Sequence, residues 1–249
     1  MMRFSANLGF LWTELALTDA IRRAKAAGFQ AVEMHWPYET HAEVARAALE
    51  ETGLSLLGVN TVRGEAGENG LAALKGREAE ARAGIDQALE WADETGAHAV
   101  HVMAGRFGDE ATYIANLRYA AEEARDLGKT ILIEPLNARD APDYFLTEVE
   151  QAAEIIIRTG AANIRIMFDC YHVQVMQGDI LRRFEALMPF IGHVQFAAAP
   201  GRGEPDTGEI AYERLLPAME ALGWKGFFGA EYRPKGTTDE GLGWMKGYL

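Results

Sequence analysis

Short apolar runs recur along the chain, and six of them follow an amphipathic stretch that ends near a glycine. One such unit has apolar residues at Ile21, Ala24 and Ala27, then Gly28, then an apolar run at 31–34. Apolar residues three and four positions apart are typical of a helix with one buried face. Glycine is typical of the position just after a helix because it adopts positive φ without a steric penalty. The repeating unit is therefore predicted to be helix, turn and strand.

The chain has eight such apolar runs in all, and none shows the clean alternation expected of a strand with one solvated face. They are therefore predicted to be parallel strands covered by helices. The runs lie at 4–8, 31–34, 54–59, 99–103, 130–133, 164–168, 191–196 and 226–230. Eight strands interleaved with helices predict an α/β fold, a (β/α)8 TIM barrel that forms a single domain over residues 1–249. An open doubly wound sheet is the alternative, weakened because no G-x-G-x-x-G sequence follows the first strand.

The charge and the cysteine content indicate which ligands and which cellular compartment to expect. With 24 Lys+Arg against 37 Asp+Glu, the net charge is −13, which opposes nucleic-acid binding and favours a small-molecule substrate. The single cysteine, Cys170, cannot form an intramolecular disulfide, and we expect it to pack in the core. No signal-like segment or run of about 18 apolar residues occurs, so a cytoplasmic protein without membrane contact is predicted.

Polar residues end the last four predicted strands, where the active site of such a barrel would lie. These residues are Glu134, Asp169, Gln195 and Glu231. Buried carboxylates that repel one another need a compensating cation, and hard oxygen ligands without a thiolate favour Mg²⁺ or Mn²⁺. A helix N-cap or an ion pair is the ordinary alternative for any one of them, but the coincidence on four strands favours a metal site. His193, on the same strand face as Gln195, is an alternative to it.

Three further residues are expected at the same mouth as substrate contacts. His172, three residues after Asp169, could bond a substrate oxygen or orient a carboxylate, and packing is its alternative role. His101 and Asn60 lie at the ends of the fourth and third predicted strands. For both, a hydrogen bond between neighbouring loops is the alternative.

Two long loops, at 63–70 and 197–208, are expected to cover this mouth. The second contains Arg202, whose guanidinium could hold a substrate carboxylate through two parallel hydrogen bonds. A surface ion pair with Glu204 or Asp206 is the alternative.

The end of the second predicted strand leaves two interpretations open. Glu33 and His35 could line a pocket or begin a surface turn, and for Glu33 we favour the turn. Among the aromatic residues, Trp12 is the one expected to touch a ligand, while Trp36 could line the pocket or pack on a helix.

Several of these residues lie in stretches that resemble the hydroxypyruvate isomerase family of xylose-isomerase-like barrels. The stretches are at 4–8, 60–61, 101–105, 133–134, 168–172, 193–195, 201–210 and 229–232. The most specific is Gly-Arg-x-Glu-Pro-Asp-x-Gly-Glu-Ile at 201–210, in which Gly203 departs from the histidine that the family often has. The resemblance implies a metal site at Glu134, Asp169, Gln195 and Glu231, with the two glutamates as the acid and base. We also expect Glu204, in the most specific stretch, to contact the substrate.

The activity implied by the resemblance is a metal-assisted isomerisation of a small hydroxy-carbonyl acid. Hydroxypyruvate and tartronate semialdehyde are the favoured pair, interconverted by proton transfer through an enediolate. A hydride shift is the mechanistic alternative, and a larger sugar or 2-oxo sugar acid is the alternative substrate. An abasic-site nuclease is disfavoured by the −13 charge and by only six histidines, and a non-catalytic sugar-acid binding protein is a further alternative. An exposed apolar helix face could support a homo-oligomer.

Overall fold

The computed structural model describes residues 2–248, and its strands form one parallel sheet that curves into a barrel. The strands are β1 (Phe4–Asn7), β2 (Ala31–Glu33), β3 (Ser55–Leu56), β4 (Gly58–Asn60), β5 (Ala99–His101), β6 (Thr130–Ile133), β7 (Ile164–Asp169), β8 (Ile191–Phe196) and β9 (Phe228–Ala230). Their order in the sheet is β3-β2-β1-β9-β8-β7-β6-β5-β4. The predicted TIM barrel is confirmed.

The third predicted strand forms the closing segment of the barrel. It is divided into β3 and β4 around Leu57, so nine strands replace the eight expected. Leu56 in β3 pairs with Val32 in β2, whereas Val59 in β4 pairs with Val100 in β5. The N–H of Leu57 donates to the Val32 carbonyl at 2.9 Å. The same stretch of chain therefore bonds both of its neighbours, which closes the barrel.

Helices surround the barrel and follow the strands in the predicted order. They are α1 (Leu17–Ala26), α2 (Ala42–Thr52), α3 (Glu78–Thr95), α4 (Glu110–Asp126), α5 (Val149–Thr159), α6 (Cys170–Met176), α7 (Ile180–Leu187) and α8 (Tyr212–Ala221). The last strand is followed by a 3₁₀ helix at Glu240–Gly247, and Trp244 from it packs edge-on against Phe4 and Phe196. Across residues 2–248, none of the helices has the length and hydropathy needed to cross a bilayer.

Glycines end helices where the sequence pattern places them. Gly53 after α2 and Gly160 after α5 have φ of 67° and 71°, a region that side chains with a Cβ rarely adopt. Each lets the chain leave its helix and turn toward the next strand. Cys170 is fully buried at the start of α6, so its predicted place in the core is also confirmed.

The interior of the barrel changes from apolar to polar along the strands. Ala99, Leu132 and Met167 form a small apolar cluster inside the barrel. Leu132 and Glu134 are two residues apart, so they point to the same side of the strand and its extension. The barrel is thus filled by apolar side chains below a layer of charged groups at the carboxyl ends of the strands.

Candidate active site

A cavity of about 180 Å³ lies at the carboxyl ends of the strands. Its charged and polar lining includes Asn60, Glu134, His172, Arg202, Glu231 and Arg233. Sites for drug-sized ligands occupy roughly 300–1,000 Å³, so this cavity suits a smaller molecule. A deeper cavity inside the barrel shares Asn60, Glu134 and Glu231 with it.

Glu134 and Asp169 come together with His172 in a buried group whose two carboxylates could hold a metal ion. One ligand atom of each residue lies within 4.8 Å of the others. Asp169 uses its Oδ1 to accept the N–H of Tyr171 at 2.8 Å, which caps α6. Its Oδ2 and the Oε1 of Glu134 are buried without a hydrogen-bond partner among the described residues. Asp169 is therefore an N-cap and also presents a free oxygen to the site.

His172 faces this group as a hydrogen-bond donor. Its Nδ1 accepts the backbone N–H of Asn137 at 2.9 Å, so the proton of the neutral ring lies on Nε2. Burial lowers the pKa of His172, with a further contribution from Arg202, which keeps the ring neutral. The Nε2 atom lies 3.6 Å from Asp169 Oδ2 and 3.8 Å from Glu134 Oε1. This tautomer suits donation to a bound oxygen and leaves no lone pair on Nε2 for a metal.

Gln195 is held by a buried carboxylate beneath the site. Its Nε2 donates to Glu33 Oε2 at 2.8 Å, which leaves its Oε1 buried without a partner among residues 2–248. The other oxygen of Glu33 accepts the Ser5 hydroxyl at 2.6 Å and lies 3.0 Å from His193 Nε2. His193 therefore lies beside Glu33, and Gln195 is the residue of the two that offers a free carbonyl oxygen.

Glu231 is paired through both of its oxygens. His35 Nε2 lies 2.8 Å from Oε1, and Arg202 Nη2 donates to Oε2 at 3.0 Å. Burial alone would raise the pKa of Glu231, but Arg202 and His35 outweigh it and lower that pKa. Glu231 is therefore an ionised carboxylate within the barrel mouth.

Arg202 is a buried counter-ion for the carboxylates of the site. Besides Glu231, it lies 3.6 Å from Asp169 and 3.7 Å from Asp140. Its guanidinium carbon is 5.1 Å from the centre of the Tyr171 ring, its backbone φ is 52°, and its side chain is buried in the mouth. The alternative of a surface ion pair for Arg202 is therefore wrong.

The site carries more negative than positive charge. Burial, followed by the charges of Glu231 and Asp169, raises the pKa of Glu134. Burial also raises the pKa of Asp169 to about 7, although Arg202 opposes this shift. One buried guanidinium thus faces a set of buried carboxylates that it only partly compensates, so the site favours the uptake of further positive charge.

The sequence model for the xylose isomerase-like TIM barrel matches residues 21–248. The chain belongs to the xylose isomerase-like TIM barrel family. This membership confirms the resemblance found in the strand-end motifs.

Several known proteins are similar to the chain over its whole length. A 2-oxo-tetronate isomerase from Cupriavidus necator is 45% identical over 258 residues, covering 100% of this chain and 99% of the relative. The hydroxypyruvate isomerase of Escherichia coli is 37% identical, covering 100% of both chains. The crystal structure of an AP endonuclease, family 2, from Brucella melitensis has a TM-score of 0.96 at 38% identity, covering 100% of this chain and 99% of that one.

The other three predicted substrate contacts, Asn60, His101 and Glu204, differ in whether they line the cavities. Asn60 lines both cavities. His101 is buried, with its Nδ1 3.7 Å from Glu134 Oε2, and burial lowers its pKa to about 3. Glu204 lines neither cavity; its carboxylate accepts the backbone N–H of Lys235 at 2.8 Å and so ties the loop to the segment after β9.

Several residues around the site differ from their expected roles. Glu33 is 4% exposed and lies beneath the site, so the expectation of a surface turn is wrong. Trp12 is buried, and its indole N–H donates to Asp239 at 3.1 Å, so it packs rather than touching a ligand. Phe10 and Trp36 line the cavity instead. Position at a strand end could have identified Glu33, because the same rule identifies Glu134.

Proposed function

We propose that the protein is an isomerase of small hydroxy-oxo acids that interconverts hydroxypyruvate and tartronate semialdehyde. The observation that carries this proposal is the pair Glu134 and Glu231, two buried carboxyl groups from separate strands that line the same small cavity. Isomerisation requires proton removal from one carbon and proton delivery to its neighbour. The names of the two curated relatives support an isomerase acting on this class of acid.

The two glutamates would move the proton in this reaction. One carboxylate removes a proton from C3 of hydroxypyruvate, and the electron pair passes through an enediolate. A carboxyl group then delivers a proton to C2, and the proton of the C3 hydroxyl passes to the C2 oxygen, so C3 becomes the aldehyde and C2 the alcohol. His172 would donate its Nε2–H to the oxygen on which negative charge develops, a contact that stabilises the transition state.

We propose Mg²⁺ or Mn²⁺ as the cofactor, held by Glu134, Asp169, Gln195 and Glu231. The unpartnered buried oxygens on the first three residues fit a hard divalent cation, as does the excess negative charge. Such a cation, when bound, would act as a Lewis acid toward the substrate carbonyl. Arg202 and His35 would keep Glu231 oriented toward the other ligands.

Glu33→Gln is expected to weaken Mn²⁺ binding by about 10- to 100-fold, the usual cost of losing a group that orients a metal ligand. A neutral amide at position 33 has one acceptor oxygen in place of two and no charge, so it holds the Gln195 carboxamide less firmly and the Gln195 oxygen can turn from the site. Titration calorimetry with Mn²⁺ measures the effect, and Glu39→Gln, at an exposed glutamate beyond β2, is the control. An unchanged Mn²⁺ dissociation constant in the Glu33 variant would contradict the proposed role of Gln195.

Proton transfer predicts incorporation of solvent hydrogen. When hydroxypyruvate is isomerised in D2O, we expect deuterium at C2 of the product at levels above those of an enzyme-free control. A glutamate that exchanges with solvent before returning its proton is the physical reason. Nuclear magnetic resonance of the trapped product measures the label. Product without deuterium would instead indicate a hydride shift between the two carbons.

A four-carbon 2-oxo-tetronate is the second candidate substrate, favoured by the 45% identical relative. Comparison of kcat/KM for hydroxypyruvate and 2-oxo-tetronate decides between the two acids. The name of the Brucella melitensis protein makes incision of a duplex with an abasic site a further assay. We expect no incision, because a net charge of −13 opposes phosphate binding.

A further inference from the structure

The proposed substrates all carry a carboxylate, and the structure contains two arginines that line the cavity. Arg202 is 8% exposed and already neutralises carboxylates of the protein on three sides. A substrate carboxylate on Arg202 would compete with Glu231, Asp169 and Asp140 for the same guanidinium. Arg202 is therefore poorly suited to select an anionic substrate, although the sequence favours it for that role.

Arg233 has the properties that Arg202 lacks. It is exposed at the rim, two residues after Glu231, and lines the cavity of about 180 Å³. Within residues 2–248, no carboxylate oxygen lies within 4.0 Å of its side-chain nitrogens. Its charge is therefore available to a ligand.

The backbone fixes the place of Arg233 at the rim. Its N–H donates to the Arg202 carbonyl at 2.7 Å, which joins the loop after β8 to the segment after β9. The guanidinium carbon lies 5.7 Å from the centre of the Phe10 ring, which also faces Arg202 at 4.7 Å. Phe10 thus lies near both guanidinium groups, one buried and paired, the other turned toward the entrance.

We propose that Arg233 binds the substrate carboxylate and selects hydroxy-oxo acids over uncharged hydroxy-carbonyl compounds of the same size. The inference rests on the proposed function. A small acid would place its reacting carbons toward Glu134 and Glu231, and its carboxylate toward the rim. A guanidinium there can form two parallel hydrogen bonds with a carboxylate.

Arg233→Leu tests this selection with a pair of substrates that differ in the carboxylate. Hydroxypyruvate carries it, whereas dihydroxyacetone has a hydroxymethyl group in the same place. We expect kcat/KM for hydroxypyruvate to fall about 10- to 100-fold, mainly through KM, because charge-assisted hydrogen bonds are lost. The value for dihydroxyacetone should change less than twofold, and Arg233→Lys should recover part of the loss.

Lys235→Met provides the matched control, since it removes an exposed cation from the same segment outside the cavity. It should leave both substrates unaffected. An equal loss for both substrates in Arg233→Leu would show a structural role and overturn the inference while the proposed function stands.

Binding of lactate by calorimetry tests Arg233 without turnover. We expect the wild-type protein to bind this unreactive hydroxy acid about 10- to 100-fold more tightly than Arg233→Leu. Should the wild-type protein isomerise neither substrate, the proposed function fails, and the lactate affinities alone decide the role of Arg233. Equal affinities, or no lactate binding by the wild-type protein, would overturn the inference.

Discussion

Replacement of Glu134 by glutamine is expected to lower kcat for hydroxypyruvate by about 10³-fold, within the range that a general acid or base contributes. Glutamine has the shape of glutamate and keeps a carbonyl oxygen that can face a cation. It cannot exchange a proton with the substrate carbon at neutral pH. Steady-state kinetics with hydroxypyruvate, read as kcat and KM separately, measures the loss.

The fold should survive this change, because a neutral amide relieves the charge repulsion that Glu231 and Asp169 impose on Glu134. Without added metal, the midpoint of thermal unfolding should equal or exceed that of the wild-type protein. Glu65→Gln, at an exposed position in the loop at 63–70, is the control and should retain full activity. Unchanged turnover in Glu134→Gln would remove Glu134 from the reaction.

The sequence carries most of the information about the barrel and its polar end. Parallel strands place their carboxyl ends on one side, so residues that end different strands must lie at the same end of a barrel. This reasoning brings Glu134, Asp169, Gln195 and Glu231 to one region without any knowledge of distances. It also brings Arg202 toward them, because the loop that contains it follows one of these strands.

The direction of individual side chains depends on partners that are remote in sequence. Glu33 is buried because Ser5 and Gln195 donate hydrogen bonds that offset the cost of a buried carboxylate, and His193 Nε2 lies 3.0 Å from it. Gln195 lies 162 positions from Glu33, and no local pattern at the end of β2 indicates that contact.

The conformations of loops are a second limit on prediction from the sequence. Arg202 has a φ of 52°, and its guanidinium is buried against Glu231, whereas the sequence also allows a surface ion pair. Glu204 follows two residues later but turns toward Lys235. The two neighbours in one motif thus have different environments, which residue type and spacing do not distinguish.

Metal removal is expected to abolish isomerisation and to lower the midpoint of thermal unfolding. Protein treated with a chelator should lose at least about 100-fold in activity, because the proposed cation acts as a Lewis acid toward the substrate. The midpoint should fall because Arg202 alone leaves the charges of Glu134 and Asp169 incompletely compensated. A ligand that binds only the folded state at 100 times its dissociation constant stabilises that state by about 2.7 kcal/mol. For a chain of this size, the midpoint should rise by roughly 5–10 °C when Mn²⁺ or Mg²⁺ is added.

Asp169→Asn separates metal binding from general effects of divalent ions. It removes the charge of an oxygen that faces the site but leaves Oδ1 able to accept the N–H of Tyr171, so α6 keeps its cap. We expect this variant to lose most of the metal-induced rise in the midpoint, whereas Asp86→Asn, which changes a carboxylate on α3 outside the site, should retain it. Full turnover by protein shown by elemental analysis to contain no metal would mean that Arg202 and His172 stabilise the developing charge by themselves. The buried oxygens of Glu134, Asp169 and Gln195 would then have to be satisfied by the substrate or by water.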